Sequence, residues 1–322
     1  MARGARGGTP RTSVASVDVG SLDLTPAGER PARLDVGVVG AGRVGAVLGA
    51  ALARAGHRVV ATSGVSAASL DRAERLLPGV PVVPVPEVVA AAELVLLTVP
   101  DDELPALVQG LTETGAWQAG QIVVHTSGRF GVSVLEPAVA HHVIPLALHP
   151  AMTFAGTAVD LERLEGCCFG VTAPEAARPV AEALVLEMGA EPVWVAEADR
   201  PRYHAALAHG SNHLVTLVAQ ALQVLRGAGV ESPDRVLAPL LSAALDGALR
   251  SGDAATTGPV VRGDAGTVAA HVRELTHETP DVLPTYVALA RATAVRALAS
   301  GRLSPQVAEN LLDVLARSKE PE

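Results

Sequence analysis

The fold of this chain is decided by one stretch, GVVGAGRVG at residues 37–45. The apolar run at 34–39 predicts a short strand that leads directly into the glycines. Behind them, residues 46–55 predict a helix and residues 58–62 a second strand. A G-x-G-x-x-G pattern between a strand and a helix is typical of a loop that binds a dinucleotide. The alternative is a glycine-rich turn without a ligand.

The three glycines have different predicted roles in such a loop. Gly40 permits the tight turn, Gly42 lets the backbone approach a pyrophosphate, and Gly45 allows the helix to pack closely on the strand. Arg43 and Val44 then open the helix, whose N-terminus offers free N–H groups and a favourable dipole to an anion. These five residues are therefore predicted to bind the cofactor.

The end of the second strand indicates which dinucleotide is bound. An NAD site usually has an acidic residue about 20 residues past the loop, to hold the ribose 2′-hydroxyl. This chain has Ser63, Ser66, Ser69 and Arg72 in that region, and its first acid is Asp71. Hydroxyls and an arginine suit a 2′-phosphate. The sequence therefore predicts NADP(H), the alternative being that Arg72 is an ordinary solvated helix residue.

Alternation of strands and helices continues to about residue 195. Further strands are predicted at 94–98, 121–125, 143–148, 167–171 and 192–195. Ligands sit at the carboxyl ends of strands in an open α/β sheet. The residues at these ends are therefore candidates for cofactor and substrate contacts: Thr98, Val99, Pro100, Thr126, Ser127 and His149.

After Asp199 the pattern changes to helical periodicity. Helices are predicted at 201–226, 233–250, 267–277 and 280–300, with a last one opened by Ser304-Pro305. The predicted fold class is an α/β Rossmann domain followed by an all-α domain. We expect a disordered extension at 1–33, the Rossmann domain at 34–198, and a helical substrate and dimerisation domain at 199–318.

Composition excludes several classes of function. The net charge of −9 and the 2% of aromatic residues disfavour binding of nucleic acid or an anionic membrane. The two cysteines are adjacent, which excludes a disulfide framework, and Lys319 is the only lysine. We expect a cytoplasmic protein. We also expect no metal site, because the pair His209 and His213 has no third ligand nearby.

Two segments of the helical domain contain candidate site residues. His204 and Asn212 lie two turns apart on one predicted helix, so that both can face one cleft. The turn containing Arg262 and Asp264, followed by His271, is the second segment. A purely structural turn is the alternative for it.

Six motifs indicate a family resemblance: GVVGAGRVG (37–45), TVPDDEL (98–104), HTSG (125–128), LHPAMTF (148–154), YHAALAHGSN (203–212) and TGPVVRGD (257–264). With them the chain resembles the superfamily of ketopantoate reductase, 6-phosphogluconate dehydrogenase and β-hydroxyacid dehydrogenase. More narrowly, it resembles a bacterial family that joins a Rossmann-like domain to a C-terminal domain of unknown function.

The resemblance implies NADPH-dependent reduction of a small 2-oxo acid, with 2-dehydropantoate as the expected substrate. His204 occupies the position of the catalytic lysine of ketopantoate reductase, and Asn212 follows two turns later. His271 is the candidate replacement for that family's glutamate. Ser127 is predicted to be catalytic, and His149, Arg262, Asp264 and His271 to bind the substrate.

Two other functions remain open from the sequence. One is reduction of an imine or a different carbonyl, as in relatives of pyrroline-5-carboxylate reductase. The other is a sensor that binds NADP(H) without turnover.

Overall fold

The computed structural model describes Met1 and residues 33–317. The predicted disordered extension at 1–33 lies outside the described residues except for its two end positions. Lys319 lies outside them as well.

A single seven-stranded sheet forms the first half of the described chain. Its strands are β1 (Asp35–Val39), β2 (Arg58–Ser63), β3 (Leu94–Leu97), β4 (Ile122–His125), β5 (Ile144–Pro150), β6 (Cys168–Thr172) and β7 (Glu191–Trp194). Their order in the sheet is β2-β1-β3-β4-β5-β6-β7. Strands β1 to β5 are parallel, β6 is antiparallel to β5, and β7 is parallel to β6. The prediction of a Rossmann-type α/β domain is confirmed.

Helices cover both faces of this sheet. They are α1 (Arg43–Arg54), α2 (Ala67–Leu76), α3 (Val85–Ala90), α4 (Leu104–Glu113), α5 (Glu136–Val139), α6 (Val159–Arg163) and α7 (Arg178–Glu187). In β1, Val36 and Val38 pack into one apolar core and Val39 into the other. Successive side chains of a strand point to opposite faces, so a strand covered on both faces needs a continuous apolar sequence.

The second half of the chain is helical, as predicted. It contains α8 (Arg200–Leu207), α9 (His213–Gly227), α10 (Pro233–Ser251), α11 (Pro259–Arg262), α12 (Ala265–Glu278), α13 (Leu283–Ala299) and α14 (Pro305–Arg317). A separate apolar core lies among the later helices, around Val268, Ala294 and Leu311. Within residues 33–317, no helix combines the length and apolar character needed to cross a bilayer.

The helix predicted at 201–226 differs from the observed one in its middle. Between α8 and α9 the chain forms a π-helical turn at Ala208–Asn212. Such a turn widens the helix by one residue and rotates everything after it, and it is frequent at functional sites. Apolar periodicity gives no signal for it, because the π turn is short and contains Gly210 and polar residues.

Candidate functional site

The glycine-rich loop has the tight geometry that its sequence predicts. Gly40 adopts a positive φ of 93°, and its carbonyl oxygen accepts hydrogen bonds from Gly42 N–H at 2.7 Å and Thr98 Oγ1 at 2.6 Å. A Cβ on Gly45 would overlap both that carbonyl oxygen and the Thr98 hydroxyl. The loop after β3 therefore fixes the glycine-rich loop against the start of α1, and Thr98 acts first as a structural support.

The N-terminus of α1 is open to an anion. Its N-cap is Gly42, which has no side chain to satisfy the first N–H groups. The N–H groups of Arg43 and Val44 have no intrahelical acceptors, and the dipole of this 12-residue helix favours negative charge there. These residues therefore fit the pyrophosphate of a dinucleotide.

The three predicted serines after β2 hold the backbone in place. Ser63 Oγ accepts the Gly40 N–H at 3.1 Å, which ties β2 to the glycine-rich loop. Ser66 caps α2 by accepting the Ser69 N–H at 3.1 Å, and Ser69 Oγ donates to the Ser66 carbonyl at 2.7 Å. Ser69 is buried, whereas Ser66 is exposed beside the loop.

Two arginines meet beside this loop. Arg72 donates to the carbonyl oxygen of Ala41 at 3.2 Å, so its guanidinium lies over the glycine-rich loop. A Cβ on Gly156 would lie 2.7 Å from Cδ of Arg72 and 3.1 Å from Cγ of Arg43. Gly156, in the loop after β5, thus lies against both predicted arginines. The remaining predicted cofactor residues are placed in the loops that follow β3 and β4: Val99, Pro100 and Thr126.

A cavity of about 460 Å³ lies between the end of β5 and the start of the helical half. His149 and Met152 line it from the β5 side, and His204, Ser211 and Asn212 line it from α8 and the π turn. The structure therefore brings together the predicted residues His204, Asn212 and His149.

The two imidazoles converge on Gly128. Their ring centroids are 5.8 Å apart, and a Cβ on Gly128 would lie 2.9 Å from His149 Nε2 and 2.5 Å from His204 Cδ2. Any other residue at this position would push the two rings away from the carboxyl end of β4. Glycine at 128 thus lets both imidazoles pack there, and both of them line the cavity.

Ser127, which was predicted to be catalytic, is buried beside this point rather than on the cavity wall. Its Oγ accepts the Phe130 N–H at 3.2 Å, and its N–H donates to His125 Nδ1 at 3.2 Å. His125 is completely buried, and its Nε2 lies 2.8 Å from the Gly131 carbonyl oxygen. Burial lowers the pKa of His125 to about 4, so this imidazole is neutral and shapes the loop.

The buried guanidinium of Arg200 supports the loop after β4 that contains Ser127. Arg200 is fully buried and donates to three carbonyl oxygens, those of Phe130 at 2.8 Å, Gly170 at 2.9 Å and Ser127 at 3.1 Å. Burial lowers the pKa of Arg200, but a guanidinium titrates so high that it keeps its charge. Arg200 therefore places a fixed positive charge behind the cavity.

That charge acts on His149. Burial, and then the positive charge of Arg200, lower the pKa of His149 to about 4. His149 Nδ1 lies 3.0 Å from the hydroxyl of Tyr203, and the two rings meet edge to face. His149 is therefore a neutral imidazole held by a phenol at neutral pH.

The structure does not bring Arg262, Asp264 and His271 to this cavity. Arg262 ends α11, and Asp264 caps α12 by accepting the Thr267 N–H at 3.0 Å. His271 is exposed on α12 and pairs with Tyr286 at 2.9 Å. Within one chain these three residues have structural partners, and their assignment to substrate binding stays a prediction.

Sequence reasoning missed three residues of the site. Gly128 lies in the quoted HTSG motif and Tyr203 in YHAALAHGSN, but neither is among the predicted site residues. Arg200 gave no signal, because an arginine at a helix start is ordinarily solvated. Only its depth behind two loops makes it part of the site.

Two domain families match the chain. Residues 22–150 match the family model of the Rossmann-like domain, and residues 167–293 match that of a domain of unknown function, DUF2520. Comparison with curated proteins gives no match.

Several solved structures share the fold. A proposed NADP oxidoreductase from Bacteroides fragilis aligns with a TM-score of 0.67 and 22% identity, over 81% of this chain and 98% of that one. Protein TM1727 from Thermotoga maritima aligns with a TM-score of 0.63 and 18% identity, over 81% of this chain and 99% of that one. An imine reductase from Pseudomonas sp. aligns with a TM-score of 0.54 and 18% identity, over 89% of this chain and 94% of that one. At these identities the similarity shows the fold alone.

Proposed function

We propose that this protein is an NADP(H)-dependent oxidoreductase that reduces a small 2-oxo acid to a 2-hydroxy acid. The observation that supports this most strongly is the convergence of His204, His149 and Asn212 on one cavity, at the edge of the sheet that also holds the glycine-rich loop. The best specific substrate is 2-dehydropantoate, which would give pantoate.

The residues present fit NADP(H). The open N-terminus of α1 suits the pyrophosphate, and Arg43 and Arg72, which both lie against Gly156, suit a 2′-phosphate. Asp71, the first acid after β2, is exposed and pairs with Arg75 at 2.7 Å, so it does not oppose a phosphate at Arg72. The proposed NADP oxidoreductase from Bacteroides fragilis, which has the same fold, adds support.

Each residue of the cavity has a proposed task. When bound, the reduced nicotinamide supplies a hydride to the substrate carbon. His204 donates a proton to the substrate oxygen as negative charge develops there, since an imidazole is suited to acid catalysis near neutral pH. The Asn212 amide binds the substrate's carbonyl or carboxylate group and orients it.

A different reductase function is the second candidate. The imine reductase from Pseudomonas sp. has the same fold, which favours an imine or another carbonyl as the alternative substrate. A sensor that binds NADP(H) without turnover is the third candidate, and the kinetic experiment below separates it from both reductases.

The test is NADPH oxidation by the purified protein with 2-dehydropantoate, with NADH in parallel. We expect turnover with NADPH, and much weaker binding of NADPH but not of NADH after Arg72→Ala. His204→Gln should lower kcat by roughly 100-fold or more with little change in NADPH affinity. His213→Gln, an exposed histidine further along the same helical segment, is the matched control.

Two results would contradict the proposal. Saturable NADPH binding without turnover of any carbonyl or imine would indicate the sensor. Full activity of the His204→Gln variant would remove the assigned proton donor.

We further infer that a second copy of this chain covers the helical half. Helices α9 and α10 bury no side chain except Pro233, and Val215, Val236 and Leu240 are exposed along them. A groove of about 650 Å³ runs between these helices and α12 and α13. An apolar face of this size marks an interaction site, and a two-fold partner supplies the same helix pair.

Light scattering of the purified protein tests this dimer. Leu240→Glu should yield monomers, whereas Leu186→Glu, at an exposed leucine of α7, should leave the dimer intact. A monomeric wild-type protein would contradict the inference.

A further inference from the structure

The two nitrogens of His149 have different surroundings. Nδ1 lies 3.0 Å from the Tyr203 hydroxyl, whereas Nε2 has no hydrogen-bond partner among the described residues and lies next to Gly128. Nε2 is therefore the His149 nitrogen left for a substrate atom in the cavity that His149 and His204 line.

The direction of the bond to Tyr203 follows from the chemistry of the two groups. His149 Nδ1 is the one side-chain hydrogen-bond partner of the Tyr203 hydroxyl among the described residues, at 3.0 Å. A phenol O–H is a stronger donor than a neutral imidazole N–H, and an imidazole nitrogen is a stronger acceptor than a phenol oxygen, so the Tyr203 hydroxyl donates to Nδ1. A neutral imidazole that accepts at Nδ1 has its proton on Nε2.

The described residues that line the cavity include no carboxylate. The buried guanidinium of Arg200 lies behind the loop that contains Gly128, and the carboxylates of Glu197 and Asp101 act on that guanidinium rather than on His149. Reduction of a carbonyl develops negative charge on oxygen, which N–H donors and a positive charge stabilise. An imine is reduced as its protonated, cationic form, which the same surroundings disfavour.

We propose that Tyr203 holds His149 as a neutral N–H donor that binds the substrate oxygen, and that the cavity is thereby selective for carbonyl over imine substrates. This inference rests on the proposed reductase function and names its substrate class. Tyr203 is a positioning residue in this arrangement, and His149 is a catalytic one.

The electron balance of the step is simple. The carbon of the C=O group accepts the hydride and forms a C–H bond, while the π electron pair moves to oxygen. His204 gives a proton to that oxygen, and the reduced cofactor becomes NADP⁺. His149 keeps its proton throughout and only binds the oxygen by a hydrogen bond.

The first measurement is the tautomer of His149, which needs no turnover. Long-range ¹H–¹⁵N spectra of the full chain, labelled at histidine and assigned with His149→Asn, report which nitrogen has the proton. We expect the Nε2–H form in the wild type and loss of this fixed tautomer in Tyr203→Phe. Tyr286→Phe, which removes the hydroxyl next to His271, is the matched control and should leave the His149 signals unchanged.

The second measurement is activity with a matched pair of probes, 2-dehydropantoate and the cyclic imine 1-pyrroline. We expect reduction of the 2-oxo acid only, and a decrease in kcat of about 10- to 100-fold in Tyr203→Phe with little change in KM or in NADPH affinity. Tyr286→Phe should behave as the wild type.

The outcomes separate this inference from the proposed function. A wild type with the proton on Nδ1, or a Tyr203→Phe variant with full activity and an unchanged tautomer, overturns the role of Tyr203 even if the protein is a reductase. Reduction of 1-pyrroline in preference to the 2-oxo acid overturns the selectivity. No turnover together with no NADPH binding overturns the proposed function, and the tautomer then still decides the arrangement of Tyr203 and His149.

Discussion

The molecule contains two histidine–tyrosine pairs of nearly the same geometry. In the cavity, His149 Nδ1 lies 3.0 Å from the Tyr203 hydroxyl, with ring centroids 5.6 Å apart and an interplanar angle of 89°. In the helical half, His271 Nδ1 lies 2.9 Å from the Tyr286 hydroxyl, with ring centroids 5.8 Å apart and an interplanar angle of 81°. The first histidine is largely buried and the second is exposed.

The difference between the pairs lies in what surrounds them. His149 and His204 line one cavity, and Arg200 provides a buried charge behind it. His271 lies on the exposed surface of α12. A local hydrogen bond therefore gives no function by itself, because desolvation and neighbouring charges determine what the imidazole can do.

The largest expected effect comes from removing the buried charge of Arg200, which lies near the His149–Tyr203 pair only. Arg200→Met leaves three buried carbonyl oxygens without their donor, so the free energy of unfolding should fall by on the order of 3–5 kcal/mol. The pKa of His149 should rise from about 4, because a neighbouring positive charge is lost. Urea denaturation and an NMR titration of the histidines measure the two effects.

Arg202→Met is the control for this change, since Arg202 lies on the same helix, is exposed, and pairs with Asp199 at 3.0 Å. Its effect on the free energy of unfolding should stay within about 0.5 kcal/mol. Equal losses in the free energy of unfolding for Arg200→Met and Arg202→Met would show that the buried guanidinium stabilises the fold no more than an exposed one.

The next effect distinguishes the two histidines directly. His149→Gln should lower kcat about 100-fold, the usual cost of losing a donor to a developing oxyanion. His271→Gln should change kcat less than about twofold, as expected of a residue outside the reacting site. Steady-state kinetics with NADPH measure both variants, and a large loss in His271→Gln would support its predicted role in substrate binding after all.

The smallest effect is the dependence of stability on pH. The pKa values of His125 and His149 are about 4 in the folded protein, below the ordinary value of 6.5. The unfolded chain therefore binds more protons between these values, and the fold loses stability as the pH falls from about 6.5 towards 4. Above pH 6.5 the contribution is fully present.

Urea denaturation between pH 7 and pH 5 measures this loss, and His149→Asn should reduce its slope to the part that His125 contributes. An identical slope in the variant and the wild type would show that His149 is not desolvated. The cavity pair would then have no advantage over the exposed one.

Most of the fold could be predicted from the sequence, because its signals are local. The glycines of 37–45 specify a turn that other residues cannot form, and apolar runs such as Leu94–Leu97 specify strands covered on both faces. Since the carboxyl ends of parallel strands lie at one edge of the sheet, the sequence also predicts that His149 and Thr98 lie at that edge.

The residues that make the cavity selective depend on contacts distant in sequence. Tyr203 meets His149 across 54 residues, and Arg200 meets Ser127 across 73. The π-helical turn that leads to Asn212 has no periodic signal either. Local patterns cannot predict such contacts, because desolvation and fixed charge arise only when separate segments pack together.

The sequence by itself determined a Rossmann-type domain with a dinucleotide loop, a helical second half, and a set of polar residues at strand ends. Tertiary structure alone decided which of them act together. It gathered His149, His204 and Asn212 around one cavity and left Arg262, Asp264 and His271 apart. The physical reason is that backbone conformation and strand burial are encoded over a few neighbouring residues, whereas the pKa and the orientation of a side chain depend on everything packed around it.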